Sequence, residues 1–166
     1  MKKQATRSAQ YPQVGDFNFN FSDWVVDSTD GAKKTFGSTV AASADPSEVL
    51  LTGPAANTIT FDAMLIPNGA VITGGEVIVE TAYVGPTAAT LSVGIAGSLT
   101  ALANAVDLKT AGRTALTLSN TSQLIANGGA NLRLTLAYTV ANATAGKVRV
   151  RVSYTIDGRA QEAVTN

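Results

Sequence analysis

The stretch "TAGKVRVRVSYTIDGRA", residues 144–160, decides the fold because its side chains alternate with a period of two. Successive side chains of a β-strand point to opposite faces of a sheet, so this alternation predicts a strand with one buried face. The apolar face consists of Val148, Val150, Val152, Tyr154 and Ile156. The opposite face carries three cations in a row, Lys147, Arg149 and Arg151.

Short segments of the same kind recur through the second half of the chain. They are "TITFDAMLI" (58–66), "AVITGGEVIVETAYV" (70–84), "ATLSVGIAG" (89–97) and "NLRLTLAYTV" (131–140). Turn residues such as "PNG" (67–69) separate them, and the adjacent Gly74 and Gly75 predict a bulge, a bend or a close backbone approach inside a strand. Short strands with such turns predict an all-β fold, an antiparallel β-sandwich of the jelly-roll type.

Two segments are less regular. Residues 37–57 indicate a loop with a short strand at 48–52. The segment "SLTALANAVDLKTAG" (98–112) contains good helix formers, and Leu99, Leu102 and Val106 lie near helical spacing. It predicts either a short helix in a connection or an irregular loop.

The N-terminal segment combines a basic, polar start with an apolar strand. Residues 1–15 contain Lys2, Lys3 and Arg7 and predict an extended arm. In "FNFNF" (17–21) three phenylalanines alternate with asparagine, which predicts a strand with an apolar face packed on a sheet of this chain or of a neighbour. We therefore divide the chain into an N-terminal arm and strand (1–35) and a β-sandwich domain (36–166).

Composition argues against catalysis. The chain of 166 residues has neither histidine nor cysteine, which removes the commonest general base, disulfides and thiolate sites. Its acidic residues are scattered, so we predict no enzyme, no catalytic residues and no cofactor. "DSTDG" (27–31) resembles a fragment of a calcium loop but lacks the later glutamate ligand, and no metal site is predicted.

The basic start has no apolar core of a secretory signal, and no apolar run reaches the roughly 18 residues of a membrane span. These features predict a protein made in the cytoplasm without a membrane partner. Only 14% of the residues are charged and the formal net charge is zero. This is low for a lone soluble domain, and it indicates either a neutral β surface or a surface largely covered by partners.

The charges are unevenly distributed. From residue 16 to residue 80 there are nine acidic and two basic residues, whereas residues 83–166 carry seven basic and three acidic ones. Nucleic-acid binders usually have a net basic domain, so this balance argues against a nucleic-acid partner. Two uses of the basic face remain open, binding an external polyanion or pairing with acidic groups inside the assembly. We predict that Arg149 and Arg151 meet acidic groups on a neighbouring strand of this chain or across a subunit interface, and Glu76 and Glu80 are the candidates.

The aromatic residues offer a second type of candidate site. Tyr83, Tyr138 and Tyr154 lie on apolar strand faces and are predicted core residues. Trp24 and Tyr11 remain candidates for a sugar site. A glycan-binding adhesion module, the main alternative function, would need an exposed aromatic platform or a calcium site. The candidate interface residues are Phe17, Phe19, Phe21, Trp24, Lys147, Arg149, Arg151, Glu76 and Glu80.

Three segments together resemble a known family. They are "IPNGAVITGGEVIVETAYVGPTAATLSVG" (66–94), "DLKTAGRTALT" (107–117) and "TAGKVRVRVSYTIDGRAQE" (144–162). Their order and spacing are similar to those of the small capsid decoration (cement) proteins of tailed bacteriophages, and the resemblance spans roughly residues 57–162.

The resemblance implies a β-sandwich structural protein of the virion that binds the outer surface of the head. Its partners would be the major capsid protein and further copies of itself, as a homotrimer or, alternatively, a dimer. It would be made in the host cytoplasm and stabilise the expanded capsid.

Overall fold

The computed structural model describes residues 12–29, 31, 33–37, 57–119, 124–125, 129–139 and 143–156. Within these ranges all regular structure is β-strand, and no helix there could span a membrane. The strands are β1 (Gln13–Asn20), β2 (Trp24–Val26), β3 (Lys33–Thr35), β4 (Asn57–Ile66), β5 (Ala70–Val84), β6 (Ala88–Ile95), β7 (Ser98–Asp107), β8 (Gly112–Ala115), β9 (Ala130–Thr139) and β10 (Ala145–Ile156).

Eight of these strands form two four-stranded antiparallel sheets. The order is β1-β10-β5-β8 in the first sheet and β4-β9-β6-β7 in the second. The pairing is nested: β1 pairs with β10, β4 with β9, β5 with β8 and β6 with β7. The chain thus folds as one long hairpin wound into two sheets, which is the jelly-roll arrangement. The predicted all-β antiparallel sandwich is confirmed.

The core lies between the two sheets and follows the alternation of the sequence. Val148, Val150 and Val152 of β10 are fully buried, as are alternate leucines of β9, Leu132 and Leu134 among them. β9 and β10 are both inner strands, so each has paired neighbours on its two sides. Burial of these side chains is the main stabilising contribution, at about 25 cal/mol per Å² of apolar surface.

Strand β1 belongs to the first sheet and supplies aromatic side chains to the core. All eight of its residues pair with β10. Phe19 is buried, with its ring 4.4 Å from that of Phe36 and 5.9 Å from that of Phe61, while Phe17 lies 5.8 Å from Phe61. Phe21 packs against the same core. The phenylalanines therefore pack on a sheet as predicted, and this sheet is formed by their own chain.

The segment 98–112 corrects a prediction, because residues 98–107 form strand β7 rather than a helix or an irregular loop. Between the pairs Leu91–Val106 and Val93–Ala103, β7 contains one residue more than β6, and Ala105 has a φ of 49°. Such bulges interrupt the period of two, so the adjacent Leu102 and Ala103 are both buried. The predicted strand at 48–52 lies outside the described residues.

The bulge predicted at the double glycine is confirmed. Ser153 pairs with Gly74 and Tyr154 pairs with Ile72, so Thr73 is an extra residue on β5. The Thr73 hydroxyl donates to the Ser153 carbonyl oxygen at 3.2 Å. The turn predicted at 67–69 is also present, with Gly69 at a φ of 75°.

The two buried tyrosines predict how stability depends on alkaline pH. Burial raises the pKa of Tyr83, and burial raises the pKa of Tyr138 to about 12. An unfolded tyrosine titrates near pH 10, so above that pH the unfolded chain releases protons that the folded chain retains. The contribution of these two tyrosines to the free energy of unfolding is therefore fully present below about pH 10 and is lost as the pH rises towards about 12. Thermal unfolding followed by circular dichroism between pH 8 and 12 checks this.

Tyr83→Phe separates the contribution of Tyr83 from that of Tyr138. The Tyr83 hydroxyl has no hydrogen-bond partner among the described residues, so its removal is expected to raise the free energy of unfolding at pH 7 by about 1 kcal/mol. The alkaline loss should also become smaller. Tyr154→Phe, at a half-buried position, is the control. A Tyr83→Phe variant less stable than the native chain at pH 7 would contradict the prediction.

Candidate interaction surfaces

The three cations of β10 form ion pairs with carboxylates on both neighbouring strands. We call Lys147, Arg149 and Arg151 the basic stripe. Lys147 Nζ lies 2.7 Å from Glu80 Oε2, and Arg149 Nε lies 2.9 Å from Glu80 Oε1. On the other side Arg151 Nε lies 3.0 Å from Asp16 Oδ2, and Arg149 Nε lies 3.8 Å from Asp16 Oδ1. Two carboxylates thus alternate with three cations across the outer face of the first sheet.

The electrostatics of Glu80 follow from this arrangement. The hydrogen bond from Lys147 and the charge of Arg149 lower the pKa of Glu80, against an opposing effect of desolvation. The Arg149 Nε contact is an ion pair without hydrogen-bond alignment, because the N–H does not point at an acceptor. The predicted pairing of Arg149 and Arg151 with acidic groups is confirmed on neighbouring strands of the same chain.

The pairing differs in detail from what spacing alone indicated. Glu76 lies opposite Arg151 in the strand register, yet its carboxylate approaches Arg113 of β8 at 3.7 Å. Asp16, which sequence reasoning did not single out, forms the ion pair with Arg151 instead. The sequence places Asp16 one residue before the alternating phenylalanines of β1. This position identifies Asp16 as a partner of Arg151 once β1 is known to pair with β10.

The hairpin formed by β2 and β3 carries the exposed tryptophan. Trp24 is 57% exposed and Val26 is 52% exposed, both on one face. Lys33 Nζ lies 4.1 Å from the centre of the indole ring, within the range of a cation–π contact. On the other face Lys34 Nζ forms a buried ion pair with Asp27 Oδ2 at 2.6 Å. The backbone N–H of Ser28 donates to the Thr60 carbonyl oxygen at 2.6 Å, which ties the hairpin to β4.

Asp27 was part of the resemblance to a calcium loop, and its carboxylate is instead used within the hairpin. One oxygen accepts from Lys34 and the other accepts from the backbone N–H of Thr29 at 2.8 Å. The described residues contain no group of three or more carboxylate, histidine or cysteine side chains arranged to hold a metal ion.

Further apolar side chains are exposed near the two ends of the sandwich. Val84 lies at the end of β5, while Leu65 and Leu124 lie near the opposite end, beside the turn at 67–69. Leu65, Leu124, Ile95 and Ala130 line a shallow groove there. A second concavity of about 310 Å³ lies on the outer face of the first sheet, beside Gly75. Its lining residues are Val14, Gly75, Glu76, Ala115, Arg151 and Ser153.

The candidate interface residues lie in three parts of the structure. Phe19 lies in the core, and Phe17 and Phe21 pack against it. Trp24 is exposed on the hairpin. The basic stripe, Glu76 and Glu80 lie on the outer face of the first sheet. The structure thus brings the charged candidates together on one face and leaves Trp24 on a separate element.

Comparison with known proteins gives little. No protein-family model and no curated protein matches the chain. Among solved structures it is similar to a chain described as "Cyanophage Pam1 capsid asymmetric unit", with a TM-score of 0.49 and 20% sequence identity over 94% of this chain and 92% of that chain. A similarity at this identity and TM-score carries no information about function.

Several glycines in the segments that resemble decoration proteins stand where this fold has no room for a side chain. A Cβ at Gly94 would meet the backbone of Ser98 and Leu99, and a Cβ at Gly146 would meet the ring of Tyr83. Gly146 also has a φ of 154°, which side chains disfavour. Close packing therefore explains why glycine occupies these positions. The glycines that these segments share with decoration proteins support a similar fold more directly than a similar binding function.

Proposed function

We propose that this chain is a structural virion protein that binds the outer surface of a tailed-phage head and stabilises the expanded shell, as a decoration or cement protein. Its partners are the major capsid protein and further copies of itself, as a homotrimer or, alternatively, a dimer. The proposal includes no catalytic activity and no cofactor.

The observation that carries the proposal is the division of the surface into a charged face whose cations pair with carboxylates of the same chain and a set of exposed apolar side chains. Asp16 and Glu80 of the same chain offset two of the three charges of the basic stripe, which disfavours a role in holding an external polyanion. Trp24 and Leu65 are exposed away from it. Exposed tryptophan and leucine beside a low overall charge favour protein partners. The resemblance of residues 57–162 to decoration proteins supports the capsid as that partner.

The proposed mechanism is selective binding to one state of the shell. A protein that binds only the expanded arrangement stabilises it by an amount set by its affinity and free concentration, about 2.7 kcal/mol per site at one hundred times the Kd. An oligomer that contacts several capsid subunits at once gains attachment strength through effective concentration. A rigid β-sandwich with preformed surfaces suits this role, because little conformational entropy is lost on binding.

Co-sedimentation with isolated heads tests the proposal. The purified full chain is mixed with unexpanded and with expanded shells that lack it, and the bound fraction is measured at two salt concentrations. We expect saturable binding to expanded shells and weak binding to unexpanded ones, with a small salt dependence. Equal binding to both forms, or binding to neither, would count against a cement function.

Reversing two charges of the basic stripe tests its part in assembly. In the variant Arg149→Glu/Arg151→Glu, new carboxylates lie beside Asp16 and Glu80 on the same face, so three ion pairs become repulsive. We expect the β fold to persist in circular dichroism while oligomer formation or attachment to shells weakens. Arg133→Glu, which breaks the pair with Asp62 on the second sheet, is the control. Normal decoration by the double variant would show that the stripe is a solvated face.

The exposed Trp24 favours one alternative function, a glycan-binding adhesion module on the virion or cell surface. An exposed indole can stack on a sugar ring, although Lys33 lies over the ring of Trp24. A glycan array separates the two functions. Specific glycan binding that is lost in Trp24→Ala, together with no binding to shells, would favour the adhesion module.

A further inference from the structure

The β2–β3 hairpin presents exposed side chains on an element whose conformation is fixed. Trp24 and Val26 share its outer face with Lys33, and the buried Asp27–Lys34 pair and the Ser28–Thr60 hydrogen bond hold its conformation. Since tryptophan is among the residue types that contribute most at interface centres, a tryptophan on a rigid element is a strong candidate anchor. A surface that offers an apolar wall, a group that can stack on the indole and a carboxylate within reach of Lys33 would complement this face.

The concavity on the outer face of the first sheet offers these groups. Val14, which is 60% exposed, forms an apolar wall. The Arg151 guanidinium can stack on an indole face, and the Ser153 hydroxyl can accept a hydrogen bond from the indole N–H. The carboxylate of Glu76 lies on the same rim, and its 3.7 Å contact with Arg113 is much longer than the 2.7 Å contact between Glu80 and Lys147.

We propose that the β2–β3 hairpin of one copy inserts Trp24 into the Val14–Glu76–Arg151 concavity of a second copy, with Lys33 paired to Glu76. The two surfaces lie on different parts of the chain, so a head-to-tail repeat of the contact can close into a ring of identical subunits. The inference rests on the self-association that is part of the proposed function, and it names the two surfaces that form the contact.

Removing the indole tests the proposal without any capsid. Sedimentation velocity of the full chain at micromolar concentration should show an oligomer for the native chain. For Trp24→Ala we expect self-association weakened by about thirtyfold, a typical loss for an interface hot spot. Leu99→Ala, which removes an exposed apolar side chain from β7, is the matched control and should leave the mass unchanged. Native-like association of Trp24→Ala would overturn the proposal.

The chain contains a single tryptophan, so its fluorescence reports on Trp24 alone. On dilution from micromolar concentration to below the dissociation point, the emission should shift from shorter to longer wavelength as the indole becomes exposed to water. An emission maximum that stays constant while the oligomer dissociates would overturn the insertion of Trp24.

A charge exchange tests the assigned partner. Lys33→Glu and Glu76→Lys should each weaken association, and the double variant Lys33→Glu/Glu76→Lys should restore it by at least about tenfold relative to either single variant, as expected for a close charge pair. Failure of the double variant to restore association would overturn the pairing.

The outcomes remain distinct from those of the capsid test. A native chain that is monomeric at micromolar concentration overturns this contact whether or not it binds shells. A ring that forms as proposed but does not bind shells overturns the cement function and leaves the contact supported.

Discussion

Replacing Phe19 with alanine is expected to lower the free energy of unfolding by about 3–5 kcal/mol, the usual cost of deleting a buried aromatic ring. The side chain is 1% exposed and contacts both Phe36 and Phe61, so its removal leaves a cavity where β1 closes over β4. A loss of this size is a large fraction of the stability of an ordinary domain. Urea unfolding followed by circular dichroism measures it.

Val14→Ala on the same strand is the matched control. Val14 is exposed on the opposite face of β1, so its truncation should change the free energy of unfolding by less than about 0.5 kcal/mol. The contrast tests whether β1 is an integral strand of the sandwich. A Phe19→Ala chain as stable as the native chain would show that β1 can leave the sheet without loss of the fold.

Replacing Gly75 with alanine is expected to cost more than about 2 kcal/mol, through steric overlap and an unfavourable backbone conformation. A Cβ there would overlap the Arg151 carbonyl oxygen and come within 2.6 Å of the Leu116 side chain. The residue also has a φ of 155°, which side chains disfavour. Since backbone and a packed side chain surround the position, little relaxation is available. Thermal unfolding of the purified variant measures the loss.

The neighbouring glycine is a close control. A Cβ at Gly74 would meet no atom within 4 Å among the described residues. Gly74→Ala is therefore expected to be nearly neutral or slightly stabilising, because alanine restricts the unfolded chain more than glycine does. Equal effects of the two substitutions would show that the bulge tolerates a side chain at either position.

The sequence predicted the sandwich because the signals that fix it are local. The alternation from Val148 to Ile156 identifies both the strand and its buried face, since the period of two follows from strand geometry alone. The pair Gly74-Gly75 is also a local signal, because glycine inside a strand is typical of a bulge. β7 was missed because its own bulges disrupt that period, so its burial is set by pairing with β6 and not by its sequence spacing.

The surfaces were only partly predictable because they depend on which strands are neighbours. The basic stripe was evident from alternation, but its partner Asp16 lies more than 130 residues away and becomes a neighbour only through the β1–β10 pairing. The exposure of Trp24 depends on the short hairpin that carries it, which no periodicity marks. The concavity beside Gly75 combines residues from β1, β5, β8 and β10, so sequence analysis alone could not assemble it.

A three-dimensional reconstruction of the phage particle that carries this chain tests the central claim most directly. We predict density into which the jelly roll fits, on the outer surface of the expanded head, bridging neighbouring capsid subunits around a local symmetry axis. The same jelly roll found inside the shell or in the tail would contradict the claim, as would an expanded head whose outer surface carries no such density.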